Sequence, residues 1–219
     1  MEGGCRRLRP TVPLSLRPAA YKSRNNTGTI AGMRCFVAIE LPDAVRRRLA
    51  DLQARLADLG RAVRWTRPES IHLTLKFLGE VPDGQVSEVC TLARQIAEKY
   101  YAFDLEVAGT GCFPLRGPVR IVWIGVSQPS PLLLNCQADC EAGYAELGFE
   151  AENRAYSPHL TIGRVNDPSV GQRIRQALRE FETFSAGGFT AHELTVFQSV
   201  LRPGGSIYTP LARAAFRPG

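Results

Sequence analysis

The sequence predicts an α+β fold of two related lobes, with antiparallel or mixed sheets flanked by helices and a groove between the lobes. Two observations carry this. Apolar residues alternate between a period of 2 and a period of 3.6 along the chain, and several strand-like runs pair as hairpins rather than only as crossovers. The hexapeptide Ser70-Ile71-His72-Leu73-Thr74-Leu75 is also echoed by Ser157-Pro158-His159-Leu160-Thr161-Ile162, at corresponding places of two half-chains. A repeat of this kind implies pseudo-symmetry.

Order is expected from Met33. Cys35-Phe36-Val37-Ala38-Ile39 reads as a buried strand. After Pro42-Asp43, the residues Val45, Leu49, Leu52, Leu56 and Leu59 recur at steps of four and three, a helix face that Gly60 ends. Val63-Arg64-Trp65 is short and extended, and Ile71–Leu78 alternates as a strand. Pro82 opens a second helix with Val86, Val89, Ala93, Ile96 and Tyr100 inward, followed by strands at Phe103–Val107 and Arg120–Val126. The second half repeats the plan. A helix over about 130–147 carries Leu133, Cys136, Cys140, Tyr144 and Leu147, a strand covers His159–Val165, and a helix runs over about 168–182. Glu193–Leu201 and Ile207–Ala212 form a terminal hairpin about Pro203-Gly204-Gly205.

Residues 1–32 read differently. They hold three prolines, scattered arginines and no sustained period, which suits a disordered or dispensable leader ahead of a single bilobal domain over 33–219. A transit peptide, or a start of translation at Met33, fits the same composition. The leader carries +5 of the net charge of +6, leaving 21 basic against 20 acidic residues in the rest. Any phosphate-binding surface is therefore a local cluster rather than a global field. No apolar run is long enough for a membrane helix, and no membrane partner is expected. The six cysteines form no C-x-x-C pair. Cys136 and Cys140, one helical turn apart, read as a buried helix face rather than half a metal site.

The paired hexapeptides carry the chemistry. On a strand, Ile71, Leu73, Leu75 and Phe77 share a core face, while His72, Thr74 and Lys76 share the other. His159 and Thr161 stand in the same relation. One H-x-T on a strand is usually a half-buried histidine with no further role; two matching copies are not so easily dismissed. Facing each other, the strands would set one imidazole on either side of a cleft, which suits in-line displacement at phosphorus. A neutral histidine takes a proton from the attacking water, a protonated one gives a proton to the departing oxygen, and threonine hydroxyls donate to the phosphoryl oxygens. No metal or other cofactor is expected. The third histidine, His192, lacks the motif and reads as a surface or core-edge residue.

Two such motifs, one per half, resemble the signature of the two-histidine (2H) phosphoesterase superfamily. Arg34–Ile39, Val63–Glu69, Phe77-Leu78-Gly79, Phe113-Pro114, Val122-Trp123, Arg164, Ser199, Gly204 and Tyr208 are similar to its branch of RNA 2′,3′-cyclic phosphodiesterases, also called 2′-5′ RNA ligases. The resemblance implies hydrolysis of RNA 2′,3′-cyclic phosphate ends to 2′-phosphomonoesters, with reversible 2′-5′ joining as the same chemistry. It also implies His72 as proton donor, His159 as proton acceptor, and Thr74, Thr161 and Arg164 as substrate-binding residues. An unbroken strand would point Arg164 away from His159, unless Gly163 permits a bulge. Phe113 and Tyr156 are candidates to stack on a base. The implied partner is an RNA end, tRNA fragments included, bound by a cytoplasmic monomer. A small cyclic nucleotide as substrate, or a non-catalytic RNA-binding module, remains open at this point.

Overall fold

The apolar run Cys35–Ile39 forms the buried centre of β1 (Gly32–Glu40) in the computed structural model, which describes residues 32–203 and 205–218. The leader expectation falls outside the described residues except at Gly32, which already pairs with Pro82. The helix predicted after Pro42 is α1 (Asp43–Arg55), with Val45, Leu49, Leu52 and Gln53 inward. Gly60, at φ 58°, interrupts the short 3-10 stretch after it. Then come β2 (Val63–Trp65), β3 (His72–Pro82), α2 (Val86–Ala97), β4 (Phe103–Phe113) and β5 (Ile121–Ser127). The remainder is α3 (Pro131–Glu146), β6 (His159–Val165), α4 (Gly171–Arg179), β7 (Ser185–Ala191), β8 (Glu193–Val200) and β9 (Ile207–Ala215). The Ser130 hydroxyl caps α3 by accepting from the Leu133 N–H, and Pro131 takes the first turn, where its missing N–H costs nothing. Cys136 and Cys140 are fully buried on the inner face of α3. β7, whose Ser-Ala-Gly-Gly sequence lacks a strand pattern, is not legible in the sequence.

All the ladders of the two sheets are antiparallel. One sheet has the order β3-β1-β8-β9 and the other β2-β6-β5-β4-β7. Each sheet therefore draws strands from both halves of the chain. β8 and β9 complete the sheet begun by β1 and β3, and β4 crosses into the sheet of β5 and β6. The lobes are thus interleaved rather than consecutive, so neither half can bury its sheet alone. β3 and β6, the strands of the two motifs, lie against one another where the sheets meet.

Both motif strands carry a bulge at the same place. The β1–β3 register passes from Lys76↔Val37 to Thr74↔Ala38, skipping Leu75. The β5–β6 register passes from Gly163↔Val122 to Thr161↔Trp123, skipping Ile162. A bulge adds one residue to one strand and reverses the facing of the residues beyond it. The expected alternation beyond Leu75 is thereby corrected: Lys76 turns inward and is 3% exposed, while Phe77 turns outward and is 69% exposed. The inward Lys76 ammonium is satisfied by the Glu141 carboxylate and the Glu150 carbonyl oxygen. In the second copy the inward position is Gly163. A Cβ there would come within 2.7 Å of Val63 Cγ1 and 3.0 Å of the Trp65 ring, so close packing of β2 requires glycine.

Candidate active site

Each motif histidine projects from the face of its sheet opposite the core. Nδ1 of His72 donates to the Ser70 carbonyl oxygen at 3.0 Å, and Nδ1 of His159 donates to the Ser157 carbonyl oxygen at 2.7 Å. A carbonyl only accepts, so the neutral ring carries its proton on Nδ1 and presents the Nε2 lone pair outward. Neither Nε2 has a hydrogen-bond partner among the described residues. The serine that opens each hexapeptide thus sets the tautomer through its backbone.

Two aromatic rings lie against each imidazole. Phe36 stacks on His72 at 4.5 Å between centroids, and Tyr208 meets it edge-on at 5.1 Å. Phe113 meets His159 edge-on at 5.1 Å, and Trp123 lies tilted at 6.4 Å. Phe36 and Trp123 are separated by the same interval as the two histidines, and their strands β1 and β5 flank the motif strands. That shared interval is a signal by which the sequence could have singled out both rings. Tyr208 and Phe197 come instead from the terminal hairpin, packed with Phe36 and Ala38 in a small cluster apart from the main core.

Thr74 and Thr161 sit two residues along from their histidines, half-buried on the same faces. The bulge at Ile162 returns Arg164 to the groove side, so the unbroken-strand geometry that would have turned it away does not apply. Tyr156 donates its hydroxyl to the Thr74 carbonyl oxygen at 2.9 Å, tying the approach to the second motif onto the strand of the first. Gln53, 8% exposed on α1, donates to the Thr66 carbonyl oxygen at 2.7 Å and the Ile162 carbonyl oxygen at 2.9 Å. Its amide therefore holds the bulge on which the direction of Arg164 depends. No three His, Cys, Asp or Glu side chains converge for a metal ion among the described residues.

Burial lowers the pKa of both imidazoles. For His72 desolvation is the main cause, the Ser70 carbonyl works against it, and the positive field of Arg164 adds to it, leaving the value at about 4. For His159 desolvation again leads, opposed by the Ser157 carbonyl. Both rings are neutral at pH 7 in the free protein. A histidine whose folded pKa is depressed is protonated first in the unfolded chain, so stability is lost as pH falls. The melting temperature should therefore decline between about pH 6.5 and pH 4, and His72→Gln should flatten part of that decline in a thermal-melt series. An unchanged slope would place the titrating group elsewhere.

The sequence matches the LigT-like phosphoesterase family twice, over residues 39–123 and 124–208. An RNA 2′,3′-cyclic phosphodiesterase of Methanothermobacter thermautotrophicus is 31% identical over 179 residues, covering 82% of this chain and 96% of the relative. One of Thermus thermophilus is 31% identical and covers 84% and 91%. The crystal structure of Escherichia coli LigT complexed with 3′-AMP superposes with a TM-score of 0.69 at 29% identity, covering 85% of this chain and 99% of that one. A crystal structure of a Thermus thermophilus protein gives a TM-score of 0.73 at 26% identity, over 85% and 99%. The two matched segments meet between Trp123 and Ile124, so each contains one histidine motif. With both motifs, both bulges and both sheets accounted for, the chain belongs to the LigT-like phosphoesterase family.

Proposed function

We propose that this enzyme opens the 2′,3′-cyclic phosphate at RNA ends to a 2′-phosphomonoester, by acid–base catalysis without a metal. The observation that carries the reading is the pair of imidazoles anchored alike, each with Nδ1 bonded to a carbonyl two residues back, Nε2 without a partner among the described residues, and a threonine two residues on. The names of the relatives support the substrate class. Nε2 of His159 takes a proton from water as the water oxygen bonds to phosphorus. The bond from phosphorus to O3′ breaks, and His72 gives its proton to O3′. Thr74, Thr161 and Arg164 hold the phosphoryl oxygens as charge builds on them. The same path run with a ribose 5′-hydroxyl in place of water joins two ends through a 2′-5′ phosphodiester. Base stacking is assigned to Phe113, which lies edge-on to His159; Tyr156, its hydroxyl engaged at Thr74, offers only its ring. No described helix is long and apolar enough to cross a membrane. We assign the enzyme to the cytoplasm, acting as a monomer on RNA ends that include tRNA fragments.

The depressed pKa values add a requirement: His72 must gain a proton as the anionic substrate arrives. Bound phosphate, an opposite charge, raises the pKa of a nearby imidazole. The free enzyme governs kcat/KM and the complex governs kcat. The alkaline limb of kcat/KM should therefore lie at lower pH than that of kcat. Incubation of an adenosine 2′,3′-cyclic phosphate series in EDTA, with identification of the phosphate isomer, tests the whole reading. Turnover restored only by zinc or manganese, or formation of the 3′-phosphate alone, would overturn it.

A further inference from the structure

β2 is three residues long and, among the described residues, pairs only with β6, which makes it the edge of the five-stranded sheet. Within this short ladder Val63 faces Val165, Arg64 faces Arg164, and Trp65 faces Gly163. Val63 is buried, and the Trp65 ring covers Gly163, so these outer pairs point to the core. The central pair therefore points to the opposite face, the one that carries His159. Direct partners in an antiparallel ladder have Cβ atoms about 4.5–5.5 Å apart, and like charges placed so destabilise the pair. Neither Arg64 nor Arg164 is paired with a carboxylate, or donates a side-chain hydrogen bond, among the described residues. An anion between them would turn that repulsion into binding.

The backbones under the two arginines are held in place before any ligand arrives. The buried Gln53 amide bonds the carbonyl oxygens of Thr66, just after β2, and Ile162, just before Gly163. The Thr66 N–H also donates to the Ile162 carbonyl oxygen, at 2.9 Å. Both guanidinium groups thus stand on strands cross-tied by one side chain of α1, the kind of support that fixes binding groups in advance. At roughly 3.3 Å of rise per residue, the Arg164 and Arg64 backbones lie about 15 Å along the strand from His159. Arg164 extends back toward the groove, where its charge acts on His72. Arg64, one strand further out, lies on the side of Arg164 away from the reacting phosphorus.

We propose that Arg64, beside Arg164, binds the phosphodiester preceding the terminal nucleotide, so that the enzyme selects oligonucleotide ends over free nucleoside cyclic phosphates. This rests on the phosphodiesterase reading above and deepens it. Arginine suits the role because its planar fork takes two phosphate oxygens at once.

The test compares adenosine 2′,3′-cyclic phosphate with a diadenylate ending in the same cyclic phosphate. The wild-type enzyme should prefer the dinucleotide in kcat/KM. Arg64→Gln should cut kcat/KM on the dinucleotide roughly 10- to 100-fold, the worth of a hydrogen-bonded charge, mostly through KM, with a several-fold smaller loss on the mononucleotide. Arg64→Lys, which keeps the charge without the fork, should fall between. The wild-type salt slope of log KM should be steeper for the dinucleotide by about 0.7, and Arg64→Gln should remove that difference. Arg94→Gln on the distant α2 makes the same charge change and should alter neither substrate more than twofold. Equal losses on both substrates, or a wild-type enzyme active without length preference, would overturn the Arg64 subsite alone. A wild-type enzyme inactive on both would overturn the phosphodiesterase reading, and the subsite with it.

Discussion

Alanine at His159 or at His72 is expected to lower kcat by about 10²–10⁴-fold, the usual contribution of a positioned acid or base. Affinity for the substrate should change far less, because the proposed mechanism assigns the phosphate to the threonines and Arg164. The double variant should lose less than the product of the single losses, since donor and acceptor act in one displacement. The two positions differ in one respect that separates their roles. A proton donor is dispensable when the leaving group needs no proton. With a nitrophenyl phosphodiester, His72→Ala should therefore recover much of its activity and His159→Ala should not. The opposite pattern would exchange the roles of donor and acceptor. His72→Ala should also cost more stability than His159→Ala, because the His72 ring is stacked on Phe36 within a tight aromatic cluster. Turnover is thus best compared well below the melting point. His192, exposed and outside both motifs, is the control, and His192→Ala should match the wild type. Loss at His192 as large as at His72 would sink the two-motif assignment.

The second large effect concerns stability. Lys76 is 3% exposed, and its ammonium bonds the Glu141 carboxylate on α3 and the Glu150 carbonyl oxygen. Glu141 in turn accepts from the Glu152 N–H at 2.6 Å. This network pins the irregular segment that leads from α3 to His159. Lys76→Ala leaves a mostly buried carboxylate unpaired and opens a cavity. The expected cost is about 3 kcal/mol, a fall in melting temperature of roughly 6–12 °C. Lys76→Met fills the space but still strands the carboxylate. Lys76→Met combined with Glu141→Leu removes both charges and should recover most of the loss, since apolar replacement of a buried ion pair is often neutral. A Lys76→Ala protein that melts with the wild type would show that the ion pair contributes nothing net. Turnover should fall with stability in Lys76→Ala, because the segment it releases carries Tyr156 and the Ser157 carbonyl that orients His159.

The placement of the candidate site residues was legible because they obey local rules. A period of 2 put His72 beside Thr74 and opposite Leu73, and the near-identity of two hexapeptides marked the repeat without any structure. The helices were legible for the same reason: an apolar residue every three or four positions is imposed by the helix itself, whatever it packs against. Boundaries were less so. α4 is shorter than its apolar stripe suggests, and β4 runs on through Ala-Gly-Thr-Gly to Phe113 because β5 and β7 supply partners on either side. Strand partners come from distant sequence, so a weak local pattern becomes a strand only once the sheet exists.

What the chain settled locally was the repeat of the H-x-T motif and the strands on which its two copies sit. Three matters were left to the tertiary structure. The interleaving of strands from both halves is a pairing choice between segments far apart in sequence. The bulges at Leu75 and Ile162 depend on the ladder with the neighbouring strand, and they alone decide that Lys76 is buried while Phe77 and Arg164 are not. The neutrality of both histidines arises from the rings packed around them, Phe36 and Tyr208 on one side of the groove and Phe113 and Trp123 on the other. A pattern of period 2 cannot report where its own period breaks, and a pKa depends on desolvation by neighbours that only folding brings into contact.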